Sequence, residues 1–338
     1  MDLEKRLKAF ISLGLKIKSL SYEEIEELSD GAQANNPWFN KDSVRYALKG
    51  MENYLDKKRL SLWIESYNLS AAANIKIGVI MAGNIPFAGF HDFLCVLISG
   101  YKLKAKLSSQ DEYLPRKITE YLVAIEPGFK EYIEFIDLLK DAEAVIATGS
   151  SNSSRYFNYY FSKKPHIIRK SRNSCAVLTG EETDEEIDLL GNDIFTYYGL
   201  GCRSISKLYV PSDYDLPGLL NRLESFSYTI QHHKYSNNYD YNKSIYLINK
   251  EPHLDNGFLI LKQDPGMASP ISVVYFEKYN DKKELVIRLE AIKDNIQCIV
   301  SSESWFPGSV DFGRAQTPEL WEYADGVDTM RFLQSLKY

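Results

Sequence analysis

Apolar positions recur at helical spacing through the first part of the chain, and from Asn74 they gather into short runs separated by polar turns. Met1–Leu20 has the pattern of an amphipathic helix, and Ser21-Tyr22-Glu23-Glu24 is a capping box that opens a second one. Asn40 or Asp42 stands where it can cap a helix through Val44, Leu48 and Tyr54, so residues 1–70 read as a helical N-terminal segment. Ile75–Met81, Lys102–Leu107 and Ala144–Ala147 are runs of strand length, each followed by a polar or glycine-containing turn and separated by helical segments. This alternation predicts a parallel sheet with crossover helices. A strand follows Cys202, and the pattern then predicts a helix over Leu216–Tyr228, strands over Gly257–Lys262 and Ile271–Phe276, a helix over Asp281–Ile292 and a strand over Ile296–Val300. The tyrosine- and asparagine-rich stretch Tyr235–Tyr241 reads as an exposed loop. The break between two α/β lobes falls near Gly199, giving segments 71–198, 199–310 and a glycine-punctuated tail over 311–338.

In a parallel sheet ligands bind beyond the C-terminal strand ends, and three turns belong there: Gly83-Asn84-Ile85-Pro86, Lys106-Leu107-Ser108-Ser109 and Thr148-Gly149-Ser150-Ser151. Lys102, Lys104 and Lys106 read either as the solvated end of a strand or as a site for a phosphate-bearing ligand. At 338 residues, 44% of them hydrophobic, the chain can bury a large core as one large or two ordinary domains. A formal charge of −6 argues against a sequence-independent nucleic-acid binder, which needs a basic face. No stretch is apolar enough to span a bilayer, and the N-terminus lacks the pattern of a signal peptide, so a cytoplasmic protein is expected. Cys95, Cys175, Cys202 and Cys298 are scattered, without a CxxC pair or a cysteine–histidine cluster of metal-ligand spacing. Reduced thiols are therefore expected, and no metal.

Cys202 stands out among the four. It lies in Gly199-Leu200-Gly201-Cys202-Arg203-Ser204, a glycine-containing turn ahead of a strand, where backbone can bend sharply and a substrate can approach. An unperturbed thiol has a pKa of about 8.5, so a nucleophilic Cys202 needs a cationic or dipolar neighbour, for which Arg203, Lys207 and local backbone dipoles are the candidates. The five histidines form no triad, and the adjacent pair His232 and His233 read as surface residues, with proton donation as the alternative.

Taken together these turns resemble the aldehyde dehydrogenase superfamily, and within it the acyl-CoA reductase group that includes the LuxC-type fatty acid reductases, over most of the chain from Asn74. The nucleophile motif is met by Gly199, Cys202, Lys207 and Val210, with lysine where arginine is usual. Asn84-Ile85-Pro86 matches the family's Asn-x-Pro turn, which implies that the Asn84 amide and the Cys202 N–H hold an oxyanion. Lys106 and Ser108 match its Lys-x-Ser strand end, implying contact with a cofactor ribose, with Lys104 as the adjacent register. Ser109 stands where a ribose-binding glutamate is frequent, which favours NADPH over NADH. Thr148-Gly149-Ser150 ahead of a helix through Phe161 resembles the family's Thr-Gly-Ser turn, implying a pyrophosphate at a helix N-terminus with Arg155 adding charge; Ser154 replaces a second glycine there. The glutamate that activates water in hydrolytic members aligns with Lys170-Ser171-Arg172-Asn173-Ser174, which has no carboxylate, and a cofactor-contacting glutamate four residues before Pro270 is Gly266. Phe312–Pro318 and Tyr323–Thr329 look like the group's C-terminal signature, either closing the site or packing as turns. Tyr197 and Tyr198, on a helix ending at Gly199, are expected as core or acyl-channel walls.

The resemblance implies an α/β fold: a Rossmann-type parallel-sheet cofactor domain, a smaller α/β catalytic domain and a helical N-terminal lead-in. It implies an NAD(P)H-dependent oxidoreductase that reduces an acyl-CoA or acyl-protein thioester to an aldehyde through a Cys202 S-acyl intermediate, as a homo-oligomer or within a fatty-acid-modifying complex. Two alternatives stand beside it: a catalytically degenerate binding or scaffold subunit, suggested by the departures at Ser109, Ser154, Lys207 and Gly266, and a CoA- or phosphate-dependent semialdehyde dehydrogenase.

Overall fold

A computed structural model describes residues 1–69 and 74–336, and the chain divides into two compact units, Met1–Ser171 with Glu319–Tyr338, and Arg172–Pro318. The first unit opens with α1 (Leu3–Lys18), α2 (Tyr22–Asn35), α3 (Lys41–Tyr54) and α4 (Lys57–Glu65). Ser21 and Glu24 form the expected capping box, and of the two candidates for α3 it is Asn40 that caps, accepting from the Ser43 N–H at 2.9 Å. These helices are no detached lead-in. Phe10 meets Phe129 edge-on at 5.5 Å, and the buried Arg6 donates through Nε to the Ile98 carbonyl at 2.9 Å.

There follow β1 (Lys76–Ile80), α5 (Phe90–Ile98), β2 (Lys102–Lys106), α6 (Tyr113–Ile125), β3 (Ile133–Phe135), β4 (Ala144–Thr148), α7 (Ser151–Phe161) and β5 (His166–Arg169). The strands form one wholly parallel sheet in the order β3-β2-β1-β4-β5, so every C-terminal strand end lies along the same edge. The order reverses between β1 and β4, and a crevice opens at such a switch point. Val79 and Leu103 are buried, as are all of Ala144–Ala147, the continuous apolar run of a strand covered on both faces.

The second unit contains β6 (Asn173–Val177), α8 (Asp184–Phe195), β7 (Ile205–Pro211), α9 (Leu216–Arg222), α10 (His233–Ile248), β8 (Leu254–Asp255), β9 (Ile260–Gln263), β10 (Val273–Tyr279), α11 (Lys282–Ala291) and β11 (Ile296–Val300). Its sheet runs β11-β6-β7-β10-β9-β8, parallel except for the short β8. Since β6 pairs with β7 and β11, the chain changes unit at Ser171/Arg172 rather than near Gly199, and again at Pro318/Glu319 rather than at 310/311. The expected boundary at 70/71 lies outside the described residues. The last stretch, with α12 (Thr329–Ser335), returns to the first unit, where Thr329 accepts from the Arg169 guanidinium at 2.8 Å and Arg169 pairs with Asp92 at 2.6 Å.

The expected loop at Tyr235–Tyr241 is instead part of α10. Tyr235, Tyr239, Asn242 and Tyr246 recur at helical spacing and are all buried, with the Tyr235 hydroxyl donating to the Phe258 carbonyl and that of Tyr239 to Asp255. Burial of a tyrosine stripe with satisfied hydroxyls overrides the poor helix propensity of the intervening asparagines. The helix expected over Leu216–Tyr228 is α-helical only to Arg222 and continues as a 3-10 segment over Glu224–Gln231. Among the described residues no helix is long and apolar enough to cross a membrane.

Candidate active site

In the first unit the three expected turns follow the neighbouring strands β2, β1 and β4, so sheet topology alone brings them to one edge. The turns after β1 and β2 are also in contact. A Cβ at Gly83 would fall 2.6 Å from Ser108 Cβ, so only glycine lets this backbone lie against Ser108. The Asp111 N–H donates to the Ser108 carbonyl at 3.0 Å, and Asp111 Oδ2 accepts at 2.8 Å from the N–H of Phe87, held in the left-handed region at φ 58°. Asn84 sits exposed between these fixed points. Asp111 is only 4% exposed; burial pushes its carboxyl up to about 7, with the Phe87 N–H pulling the other way, and among the described residues its Oδ1 has no hydrogen-bond partner. Sequence reading passed over Asp111, because one acidic residue between turns carries no local sign of burial.

Along β2, Lys102, Lys104 and Lys106 alternate with the buried Leu103 and Ala105. Lys104 pairs with Glu134 of β3 at 2.8 Å, while Lys106 closes the strand and donates to the Asp137 carbonyl at 2.8 Å. Of the two, it is Lys106 that stands at the C-terminal edge of the sheet. Thr148 ends β4, and Ser150 caps α7, accepting from the Ser153 N–H at 3.1 Å. A Cβ at Gly149 would lie 3.0 Å from Phe157 and from Ser153, so the turn is closed tightly over the helix. Arg155 is exposed on α7, and Ser154, where a glycine was expected, is buried.

In the second unit α8 ends at Phe195, four residues earlier than expected. Tyr197, Tyr198 and Gly199 then take positive φ in succession, at 55°, 57° and 78°. Two non-glycine residues in this region store strain of about 1–3 kcal/mol each, of the kind that concentrates at functional sites. The turn leaves Cys202 exposed, whereas Cys95, Cys175 and Cys298 are buried; burial pushes the Cys95 and Cys175 thiols well up. The Cys202 carbonyl accepts from the Ser174 hydroxyl at 2.9 Å, tying the turn to β6. A pocket of about 50 Å³ beside the turn is lined by Phe195, Tyr198, Gly201, Tyr235 and Ile271, among others. His232 is not the surface residue expected: half-buried, its ring lies 4.5 Å from that of Tyr198, whereas His233 is exposed.

Lys207 is not available to the thiol. Its fully buried Nζ pairs with Glu277 of β10 at 2.8 Å and donates to the Asp264 carbonyl; burial lowers its pKa and Glu277 opposes this. A charge inside a sheet requires such a partner. Gly266 stands in a tight turn, its N–H on Asp264 at 2.9 Å. Arg203, next to Cys202 in sequence, reaches the tail, its Nη1 donating to the Ala315 carbonyl at 3.3 Å. The tail Phe312–Pro318 packs on the nucleophile turn: Gln316 Nε2 donates to Ser204 Oγ at 3.1 Å, and the Gly313 and Ala315 N–H groups donate to the two oxygens of Asp193, at 2.7 and 3.1 Å. Asp193 is 1% exposed, and burial pushes it up to about 7 against those two donors. No signal in the sequence distinguished this aspartate, since its partners lie about 120 residues away.

The parallel sheet with its switch point, the second α/β unit and the strained turn carrying an exposed cysteine define an aldehyde-dehydrogenase-type α/β fold, with helices at the N-terminus. No family model matches the chain, nor does any curated protein. Solved structures do. An aldehyde dehydrogenase from Bacillus cereus superposes with a TM-score of 0.64 at 14% identity, covering 89% of this chain and 72% of that one. An indole-3-acetaldehyde dehydrogenase from P. syringae, in complex with NAD+ and IAA, gives 0.68 at 13% identity, covering 94% and 75%. An NAD-dependent aldehyde dehydrogenase from Sinorhizobium meliloti gives 0.67 at 12%, covering 93% and 72%. At such identities what is shared is the fold.

Proposed function

We propose that this protein is an NAD(P)-dependent oxidoreductase of the aldehyde/acyl level, and that its reaction is reduction of an acyl-CoA or acyl-protein thioester to an aldehyde. The observation that carries this reading is the exposure of Cys202, alone among the four cysteines, on a strained turn at the head of a strand. The Cys202 thiolate attacks the thioester carbonyl, the carrier thiolate leaves, and the acyl group remains on Sγ. The Cys202 N–H and the Asn84 amide are assigned to the developing oxyanion, where such a donor typically contributes about a hundredfold or more in rate.

The residues present fit a dinucleotide. The N-terminus of α7 with its closed Thr148-Gly149-Ser150 turn suits a pyrophosphate, Arg155 adds charge, and Lys106 and Ser108 at the end of β2 suit a ribose. When bound, the reduced nicotinamide supplies the hydride that takes the S-acyl carbonyl to the aldehyde level. Cys202 then departs as thiolate and releases aldehyde, a step that needs no water-activating base. Lys170–Ser174 offers no carboxylate for hydrolysis. Ser109, exposed and uncharged beside Ser108, favours NADPH. The NAD+ bound to the P. syringae enzyme and named for the S. meliloti one is consistent with the cofactor class.

The test is oxidation of NADPH and NADH by purified protein across an acyl-CoA chain-length series, with aldehyde measured directly and Cys202→Ala as control. Cys202-dependent oxidation with aldehyde formation is expected. Absence of oxidation, S-acyl adduct and dinucleotide binding together would sink the reading in favour of the non-catalytic binding subunit.

A further inference from the structure

Asp193 lies on α8, ahead of the nucleophile turn, and among the described residues neither oxygen of its buried carboxylate is spent on a side chain. Both accept backbone N–H groups of the tail, from Gly313 and Ala315. The same Ala315 peptide chain that is fixed at its nitrogen by Asp193 receives the Arg203 guanidinium at its carbonyl, and Arg203 is the neighbour of Cys202. One residue further, Gln316 reaches Ser204 on the other side of Arg203. Leu189, one turn before Asp193 on α8, fills the space beside Gly313. The carboxylate, three tail residues and the two residues after the cysteine thus form one continuous set of contacts within the second unit.

We infer that Asp193 is a positioning residue for the thiol: by clamping residues 313–316 it holds Arg203 and Ser204 in place and so sets the electrostatic setting of Cys202. The requirement is physical. A guanidinium on a flexible stem stabilises a thiolate only if it is held near it, and a hydrogen bond to a main-chain carbonyl holds it only if that peptide is itself fixed. The tail whose N–H groups reach Asp193 carries Asp311 and Arg314, the turn it clamps carries Arg203, and Asp188 on α8 is engaged by Ser225. Its own titration is governed by burial and by the two N–H donors.

This inference rests on the assignment of Cys202 as the reactive thiol, but its test needs neither substrate nor cofactor. Iodoacetamide alkylation of the folded full chain, followed by intact mass across a pH series, reads the exposed thiol directly. Asp193→Asn keeps one acceptor and loses the other, and Gln316→Ala removes the tail's second contact without touching the core. Both variants are expected to slow alkylation threefold or more at pH 7 and to displace the midpoint of the rate–pH curve to higher pH. A purely structural role for Asp193 would lower the unfolding midpoint and leave that curve in place. Curves of both folded variants that overlay the wild type overturn the proposal while leaving Cys202 as the thiol of the site. Undiminished alkylation of Cys202→Ala would overturn the assignment of Cys202, and this inference with it.

Discussion

The two units assemble their candidate residues in opposite ways. In the first, Asn84, Lys106, Ser108 and Thr148-Gly149-Ser150 reach one edge because they follow adjacent parallel strands, and glycines at 83 and 149 let backbone pack closely there. In the second, Cys202 is held by side chains distant in sequence: Ser174 on its carbonyl, and Asp193 through the tail on its neighbours. A site made of strand-end turns is written locally and is broken by filling its space. A site made of long-range clamps is broken by removing single polar groups.

The largest expected effects are therefore a double dissociation. Gly149→Val forces a branched side chain into Phe157 and Ser153 and should weaken dinucleotide binding tenfold or more while Cys202 alkylates at the wild-type rate. Cys202→Ala should abolish the S-acyl adduct and reduction while dinucleotide titration is unchanged. If Gly149→Val also altered thiol reactivity, the independence of the two halves would be lost.

This contrast also explains what could be read from the sequence. The β1, β2 and β4 runs, the capping box at Ser21 and a cap at Asn40 or Asp42 were legible because each is a local pattern, as was the turn carrying Cys202. The end of α8 was not, since Tyr197 and Tyr198 in left-handed conformation violate local preference and persist only through tertiary packing. Nor was α10, whose stripe of Tyr235, Tyr239 and Tyr246 is interrupted by asparagine and lysine and becomes apolar only when the hydroxyls find Phe258 and Asp255. Strands β3, β5 and β6 were missed as short segments with a charged or polar residue in them, and with β6 went the correct boundary between the units. Lys207 matched a motif position, yet its partner Glu277 lies 70 residues on, and that partnership decides what the lysine does.

Lys207 offers the next largest effect, on stability. Lys207→Ala leaves Glu277 half-buried with, among the described residues, the longer Arg288 contact at 3.4 Å, and breaking a buried pair from one side costs about 3–5 kcal/mol. Lys207→Met, which keeps the packing against Tyr209, should cost less than the alanine variant. Chemical denaturation of both checks this, and equal midpoints for wild type and Lys207→Ala would mean the pair is replaced by water. Asn84→Ala, exposed and away from any core, should leave stability unchanged and lower the maximal rate about a hundredfold, or about 2.7 kcal/mol. An effect on substrate affinity alone would move Asn84 from the oxyanion to substrate binding.

The smallest effect sets Asp111 against Asp193 directly. Both carboxyls are pushed up to about 7 when folded, against about 3.9 in an unfolded chain. The sign follows from proton binding. Between about pH 4 and 7 the folded protein retains protons that the unfolded chain has released, so the stabilisation is complete below about pH 4 and is lost as pH rises through about 7. Replacing either aspartate by asparagine removes that pH dependence, but the two sites answer differently. Asp111 has one N–H to satisfy and one oxygen without a partner among the described residues, which suits a neutral amide, so Asp111→Asn should match the wild type near pH 4.5 and exceed it by about 2 kcal/mol at pH 8. Asp193 has two N–H groups to satisfy, and an amide can accept only one while turning its NH2 on the other. Asp193→Asn should therefore be destabilised by about 1–3 kcal/mol near pH 4.5, and the gap should narrow by pH 8. Denaturant midpoints of the two variants at both pH values check this. An Asp111→Asn protein weaker than wild type at pH 8 would mean that its carboxylate, like that of Asp193, holds its loop in the ionised form.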